Sequence, residues 1–177
     1  LSSASDGTIL LWRTKDWELF KTLKGHKGAV YDLSIHPSNR IAISTGEDNT
    51  VRLWNLMTGK KASGLKLKGA WSRGEKPEYV RFSPDGEWFI VGFRNRLMIW
   101  KTREGKLWSL WKSHDRKVIM CLDFIKFKGV DYIVMGMSDG SIKFWEFSTD
   151  VFPIQEKISG DPAVTPELPE SKWTLQG

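Results

Sequence analysis

Asp48-Asn-Thr-Val-Arg-Leu-Trp54 is one of four related stretches, the others being Asp6-Gly-Thr-Ile-Leu-Leu-Trp12, Arg94-Asn-Arg-Leu-Met-Ile-Trp100 and Asp139-Gly-Ser-Ile-Lys-Phe-Trp145. Each places a Trp six residues after its first position, and the four Trp stand 42, 46 and 45 residues apart. A period of that length marks a recurring supersecondary unit, because a sheet too small to bury its own apolar faces must stack on copies of itself. The Asp-Gly and Asp-Asn pairs supply the positive φ of a tight hairpin turn. The apolar residues alternating after them give one buried strand face.

Working outward, Val30-Tyr-Asp-Leu-Ser-Ile35 and Tyr79-Val-Arg-Phe82 alternate in the same way. They stop at His36-Pro-Ser-Asn39 and Ser83-Pro-Asp-Gly86, where Pro and Asp preset turns. Strands resume at Ile41-Ala-Ile43 and Trp88-Phe-Ile-Val91, and Trp17 to Leu23, Leu65 to Leu67 and Leu107 to Trp111 read as outer strands. Each period therefore holds four short strands, and no 3.6-residue apolar repeat persists long enough for a helix. The predicted fold class is all-β, with four-stranded sheets arranged as blades around a central axis in a β-propeller.

The composition agrees. Of 177 residues, 40% are hydrophobic and 12% aromatic, which excludes a disordered chain, and ten Trp spread along the whole chain point to a recurring motif. The single Cys121 rules out a disulfide framework and a multi-Cys zinc site and fits a reducing compartment. No run approaches the ~18 apolar residues of a membrane helix, so the chain is expected to be soluble, intracellular and without a membrane partner. Net charge is +6, unevenly spread. Arg94, Arg96, Lys101, Arg103, Lys106, Lys112, Arg116 and Lys117 form a basic run opposed by Glu104 and Asp115. Glu146 to Glu170 is acidic, with Lys157 alone opposing it.

With the Gly25-His26 pair, the turn Asp and the closing Leu53-Trp54 in this order, residues 2 to 148 resemble the WD-repeat family. The resemblance implies a structural tetrad of His26, Ser44, Asp48 and Trp54: a buried relay in which Asp48 fixes the imidazole and the hydroxyl meets the indole N–H. The first repeat shows Ser2, Asp6 and Trp12. The fourth shows His114, Asp139 and Trp145 but has Met135 in the hydroxyl position. In the third, Ala70 takes the His position and Arg94 the Asp position. Both ends of one hydrogen bond are lost together there, which is expected to avoid an unsatisfied buried group and to expose Arg94. The expected architecture is an incomplete set of about four blades of a seven-bladed ring. Residues 1–149 would be propeller, 150–171 an acidic Pro-containing insertion, and 172–177 the start of the next repeat. The insertion reads either as a solvated loop or as a strap on a partner.

Nothing in the sequence recommends an enzyme. The His-Ser-Asp set could suggest a catalytic triad, but the family geometry buries it between strands, and nucleophile elbow, Walker loop and paired metal-ligand spacings are absent. No cofactor or metal is expected. The run from Leu11 to Val30, with Lys15-Asp-Trp17 and Gly25-His-Lys27, continues through Leu33 to Ser38 and Arg52 to Met57. It resembles one nuclear branch, the maintenance-of-killer (MAK) family, called p21-activated-kinase-interacting proteins in animals. That resemblance implies a nucleolar scaffold in large-ribosomal-subunit assembly, with ribosome-assembly and ribosomal proteins as partners, an rRNA contact, and in animals a restrained protein kinase. Partner-binding candidates are Trp71, Arg73, Arg94, Arg96, Trp108, Arg116 and Lys117, each of which also has a plain reading as packing or as a solvated blade edge.

Overall fold

The computed structural model describes residues 1–62, 74–112, 117–147 and 173–175. The described residues are all-β: fifteen strands and no helix. The first sheet holds β1 (Ser2–Ser3), β2 (Thr8–Trp12) and β3 (Leu19–Lys24); the second holds β4 (Val30–Ile35), β5 (Ile41–Gly46), β6 (Val51–Asn55) and β7 (Lys60–Lys61). The third holds β8 (Tyr79–Phe82), β9 (Trp88–Gly92), β10 (Arg96–Lys101) and β11 (Lys106–Lys112). The fourth holds β12 (Ile119–Phe127), β13 (Val130–Met137), β14 (Ile142–Glu146) and β15 (Trp173–Leu175). Each is an antiparallel meander in sequence order. The repeat is visible in detail, because the β2–β3 and β10–β11 ladders bulge at the same point, just before Trp12 and Trp100.

Turn chemistry follows the residues. Gly7, Asn49 and Gly140, each directly after its turn residue, have positive φ, as a tight hairpin requires. The outer strands differ from their expected limits. The first begins at Leu19 because Trp17, with φ 60°, belongs to the turn. The second is Lys60–Lys61, and the expected strand at 65–67 lies outside the described residues.

The sheets stack face to face with an apolar cluster in each gap. Ile9 and Leu23 meet Val30, Ala42, Trp54 and Leu56 between the first and second sheets. Ile43 and Val51 meet Val80, Phe82, Phe89, Val91 and Met98 between the second and third. Trp88, Ile90, Leu97 and Ile99 meet Leu122, Ile133, Met135 and Trp145 between the third and fourth. An alternating strand thus serves two gaps, one with each face.

Neighbouring inner strands β4, β8 and β12 do not pair in a ladder, so their edge groups need other partners. Side chains supply them. Asp32 accepts from the Val80 N–H at 2.9 Å, and Ser34 accepts from the Phe82 N–H at 3.1 Å. The Tyr79 hydroxyl donates to the Met120 carbonyl at 2.8 Å. Arg81 spans all three strands, paired with Asp32 on one side and at 3.5 Å from Asp123 on the other. His36 adds a pin that the sequence reading missed. Its Nε2 lies 3.1 Å from the Gly86 carbonyl oxygen, and its ring meets Phe82 edge-on at 5.0 Å.

Candidate functional site

The loop between β3 and β4 carries His26, the end of β5 carries Ser44, the β5–β6 turn carries Asp48 and β6 carries Trp54. The second sheet brings all four together. His26 Nδ1 lies 2.9 Å from Asp48 Oδ1, and His26 Nε2 lies 2.7 Å from Ser44 Oγ. The Trp54 indole N–H donates to Ser44 Oγ at 2.8 Å. The chain of donors runs one way: indole to hydroxyl, hydroxyl to imidazole, imidazole to carboxylate. It ends on Asp48, which also accepts from the Thr50 hydroxyl at 2.7 Å, the Lys27 N–H at 2.9 Å and Arg52 at 3.1 Å. A carboxylate is the group that can accept this many bonds, so the relay is closed only while Asp48 is ionised.

Electrostatics follow from this arrangement. Burial lowers the His26 pKa from its ordinary 6.5, with the Asp48 hydrogen bond pulling the other way, so His26 is held neutral. Burial would raise Asp48, but the bonds from Thr50, Lys27 and His26 overcome it and hold the carboxyl well below the usual carboxylate range. Both folded values are depressed, so the unfolded chain takes up protons first on acidification. The His26 contribution is complete above about 6.5 and is lost as pH falls below it; that of Asp48 is complete above 3.8 and is lost below that. The melting temperature of the intact protein should therefore fall between about pH 7.5 and about pH 5.5, and His26→Gln should flatten that slope. A slope unchanged by the substitution would mean that His26 is not the group responsible.

The distances among Ser44, His26 and Asp48 are those of a catalytic triad, but the accessibility is not. Ser44 is 0% exposed, and its oxygen already accepts the Trp54 N–H. No substrate can reach it without dismantling the sheet, so the arrangement holds strands together and exposes no nucleophile. Among the described residues no cluster of His, Cys, Asp and Glu could hold a metal ion. No helix there is long and apolar enough to cross a membrane.

The first sheet keeps a shortened form of the relay, with the Trp12 indole N–H donating to Ser2 Oγ at 2.8 Å. In the fourth, Met135 is fully buried in the hydroxyl position, and Asp139 is bonded to Ser141 at 2.6 Å and to Lys117 Nζ at 2.9 Å. His114 and Ala70 lie outside the described residues. The third sheet corrects the expectation that joint loss leaves no orphan, because the buried Trp100 Nε1 has no hydrogen-bond partner. The reason is a second loss, at Val91, which faces Met98 as Ser44 faces Arg52. Trp100 stacks on Phe89 instead, with 4° between the ring planes.

Trp71, Arg73 and Arg116 lie outside the described residues. Arg94 is exposed in the β9–β10 turn. Arg96 is paired with Glu75, and its guanidinium lies 4.6 Å from the Phe93 ring centroid. Trp108 packs edge-on against Trp88 at 4.7 Å, within the gap between the third and fourth sheets, which gives it a packing role. The basic run does not form one face: Arg96 pairs across from Lys112, whereas Lys101 pairs across from Lys106 at the other end of β10, roughly 17 Å away. Lys101 is further matched by Glu104 at 2.9 Å.

Repeating antiparallel meanders, three-stranded in the first sheet and four-stranded in the others, with an indole-to-hydroxyl bond in the first two, have a counterpart in known proteins. The family described as WD domain, G-beta repeat matches residues 17–55, the span from the turn before the first outer strand to the end of β6. The chain is built of WD repeats. It is 40% identical to Protein MAK11 of Saccharomyces cerevisiae over 82% of its own length and 35% of that protein. It is 44% identical to the p21-activated protein kinase-interacting protein 1-like of Gallus gallus over 57% of this chain and 26% of that protein. With the Xenopus laevis protein of the same name the identity is 29%, over 97% of this chain and 54% of that protein. This WD-repeat chain thus resembles the branch that its Lys-Asp-Trp and Gly-His-Lys runs indicated, and it spans about a quarter to about half the length of these relatives.

Proposed function

We propose that this WD-repeat chain belongs to a non-catalytic docking scaffold in assembly of the large ribosomal subunit, acting in the nucleolus. The observation that carries the reading is the 40% identity to MAK11 over 82% of this chain. The geometry supports it, because the His26–Ser44–Asp48 set, which has triad chemistry, is buried and spent on holding strands. What remains is a rigid stack whose turns offer surfaces to assembly factors and ribosomal proteins. The division of the basic run between opposite ends of β10, with Arg96, Lys101 and Lys117 already paired, favours protein contacts over a continuous rRNA track.

The names of the two vertebrate relatives favour a second reading, an adaptor that binds a p21-activated protein kinase. Gradient sedimentation separates the two. The intact protein should co-sediment with large-subunit precursors, and its depletion should lower the yield of large subunits. Absence from those fractions with normal ribosome levels, alongside recovery of a kinase complex, would favour the adaptor.

A further inference from the structure

In the second sheet the turn carboxylate Asp48 closes its corner by bonding the preceding loop at Lys27 and His26. The third sheet has Arg94 at the matching turn position, and a cavity of about 1040 Å³ lies at that corner. Tyr31, Arg94, Asn95 and Val118 line it, drawn from three consecutive sheets and the segments that lead into them. Arg94 is held on fixed backbone, since its carbonyl accepts from the Ile119 N–H at 2.7 Å. Among the described residues it has no carboxylate within ion-pair distance. Tyr31 is 38% exposed.

The charges around the cavity decide what it fits. Glu75 is matched by Arg96, which leaves Lys76, Arg94 and Glu78. Lys76 is turned towards Tyr31, its Nζ 3.3 Å from the phenol oxygen. One free guanidinium beside an amide and an aromatic wall, with carboxylates on the same rim, suits a single acidic side chain on an otherwise mixed or apolar segment. A phosphate backbone would need successive cations and would meet Glu78. We propose that this corner docks a segment of a partner protein, with Arg94 and Asn95 taking an Asp or Glu carboxylate and Tyr31 and Val118 taking an adjacent apolar side chain. The proposal rests on the docking-scaffold reading and names the chemistry of one contact within it.

The test uses the intact protein and a library of nonapeptides randomised around a fixed central Glu, with a matched library carrying Gln there. The wild-type protein should retain the Glu library and not the Gln library. Arg94→Glu should reduce retention about 10-fold or more, Arg94→Lys should fall between, and Tyr31→Ala should weaken the selected peptides. Arg94 is exposed, so melting should be unchanged in its variants. Equal retention of both libraries, retention unaffected by Arg94→Glu, or no retention at all would overturn the proposal. So would capture of a labelled oligouridylate 12-mer, competing with the peptides and lost in Arg94→Glu, which would assign the corner to nucleic acid. If peptide selectivity holds while the protein is absent from large-subunit precursors, only the ribosomal reading fails.

Discussion

Trp54→Ala is expected to cost the intact protein about 3–5 kcal/mol, a large share of the roughly 5–15 kcal/mol that holds a domain folded. Trp54 is 1% exposed and fills the gap between the first and second sheets against Ile9, Leu23 and Leu56. The comparison with Phe separates packing from the hydrogen bond. Trp54→Phe keeps a ring in the gap but removes the N–H that Ser44 accepts. Trp100→Phe, in the third sheet, removes an N–H that has no partner. The two substitutions lose similar apolar area, so Trp54→Phe should cost about 1 kcal/mol more than Trp100→Phe. Denaturant unfolding of the two variants would show the difference. Equal costs would mean that the relay contributes nothing beyond the shape of the indole.

The same contrast shows what was legible in the sequence. The repeat, the strand alternation and the relay of the second sheet could be read because each rests on a local spacing: six residues from turn Asp to Trp, ten from Ser44 to Trp54. Val91 escaped because it stands nine residues before Trp100. Four residues separate the paired Gly92 and Leu97, whereas five separate Thr45 and Val51, so the shorter turn shifts the register and the spacing rule points to Ile90. His36 escaped for another reason. Its partner, the Gly86 carbonyl, lies fifty residues away in the next sheet, and no local pattern records a contact between turns. The basic run shows the same limit, because β10 carries Arg96 and Lys101, five positions apart in the sequence, to its opposite ends.

The relay also depends on a residue that takes no part in it. A Cβ built on Gly46 would lie 2.4 Å from His26 Nδ1 and 2.8 Å from Cε1, well inside contact distance. Gly46 has no positive φ, so the demand for glycine is one of space and not of backbone conformation. In Gly46→Ala the imidazole must leave its place. It then gives up Asp48 and Ser44 together: the buried Ser44 hydroxyl loses its acceptor, and Asp48 is left with Thr50, Lys27 and Arg52. The expected loss is about 3 kcal/mol, the scale of a broken buried network. The mechanism is tested by a double substitution. With His26→Ala the ring that Gly46→Ala displaces is already absent, so the pair should cost less than the sum of the singles by about 1 kcal/mol or more. Additive costs would place the strain elsewhere in the β5–β6 turn and remove Gly46 from the account of how the relay is accommodated.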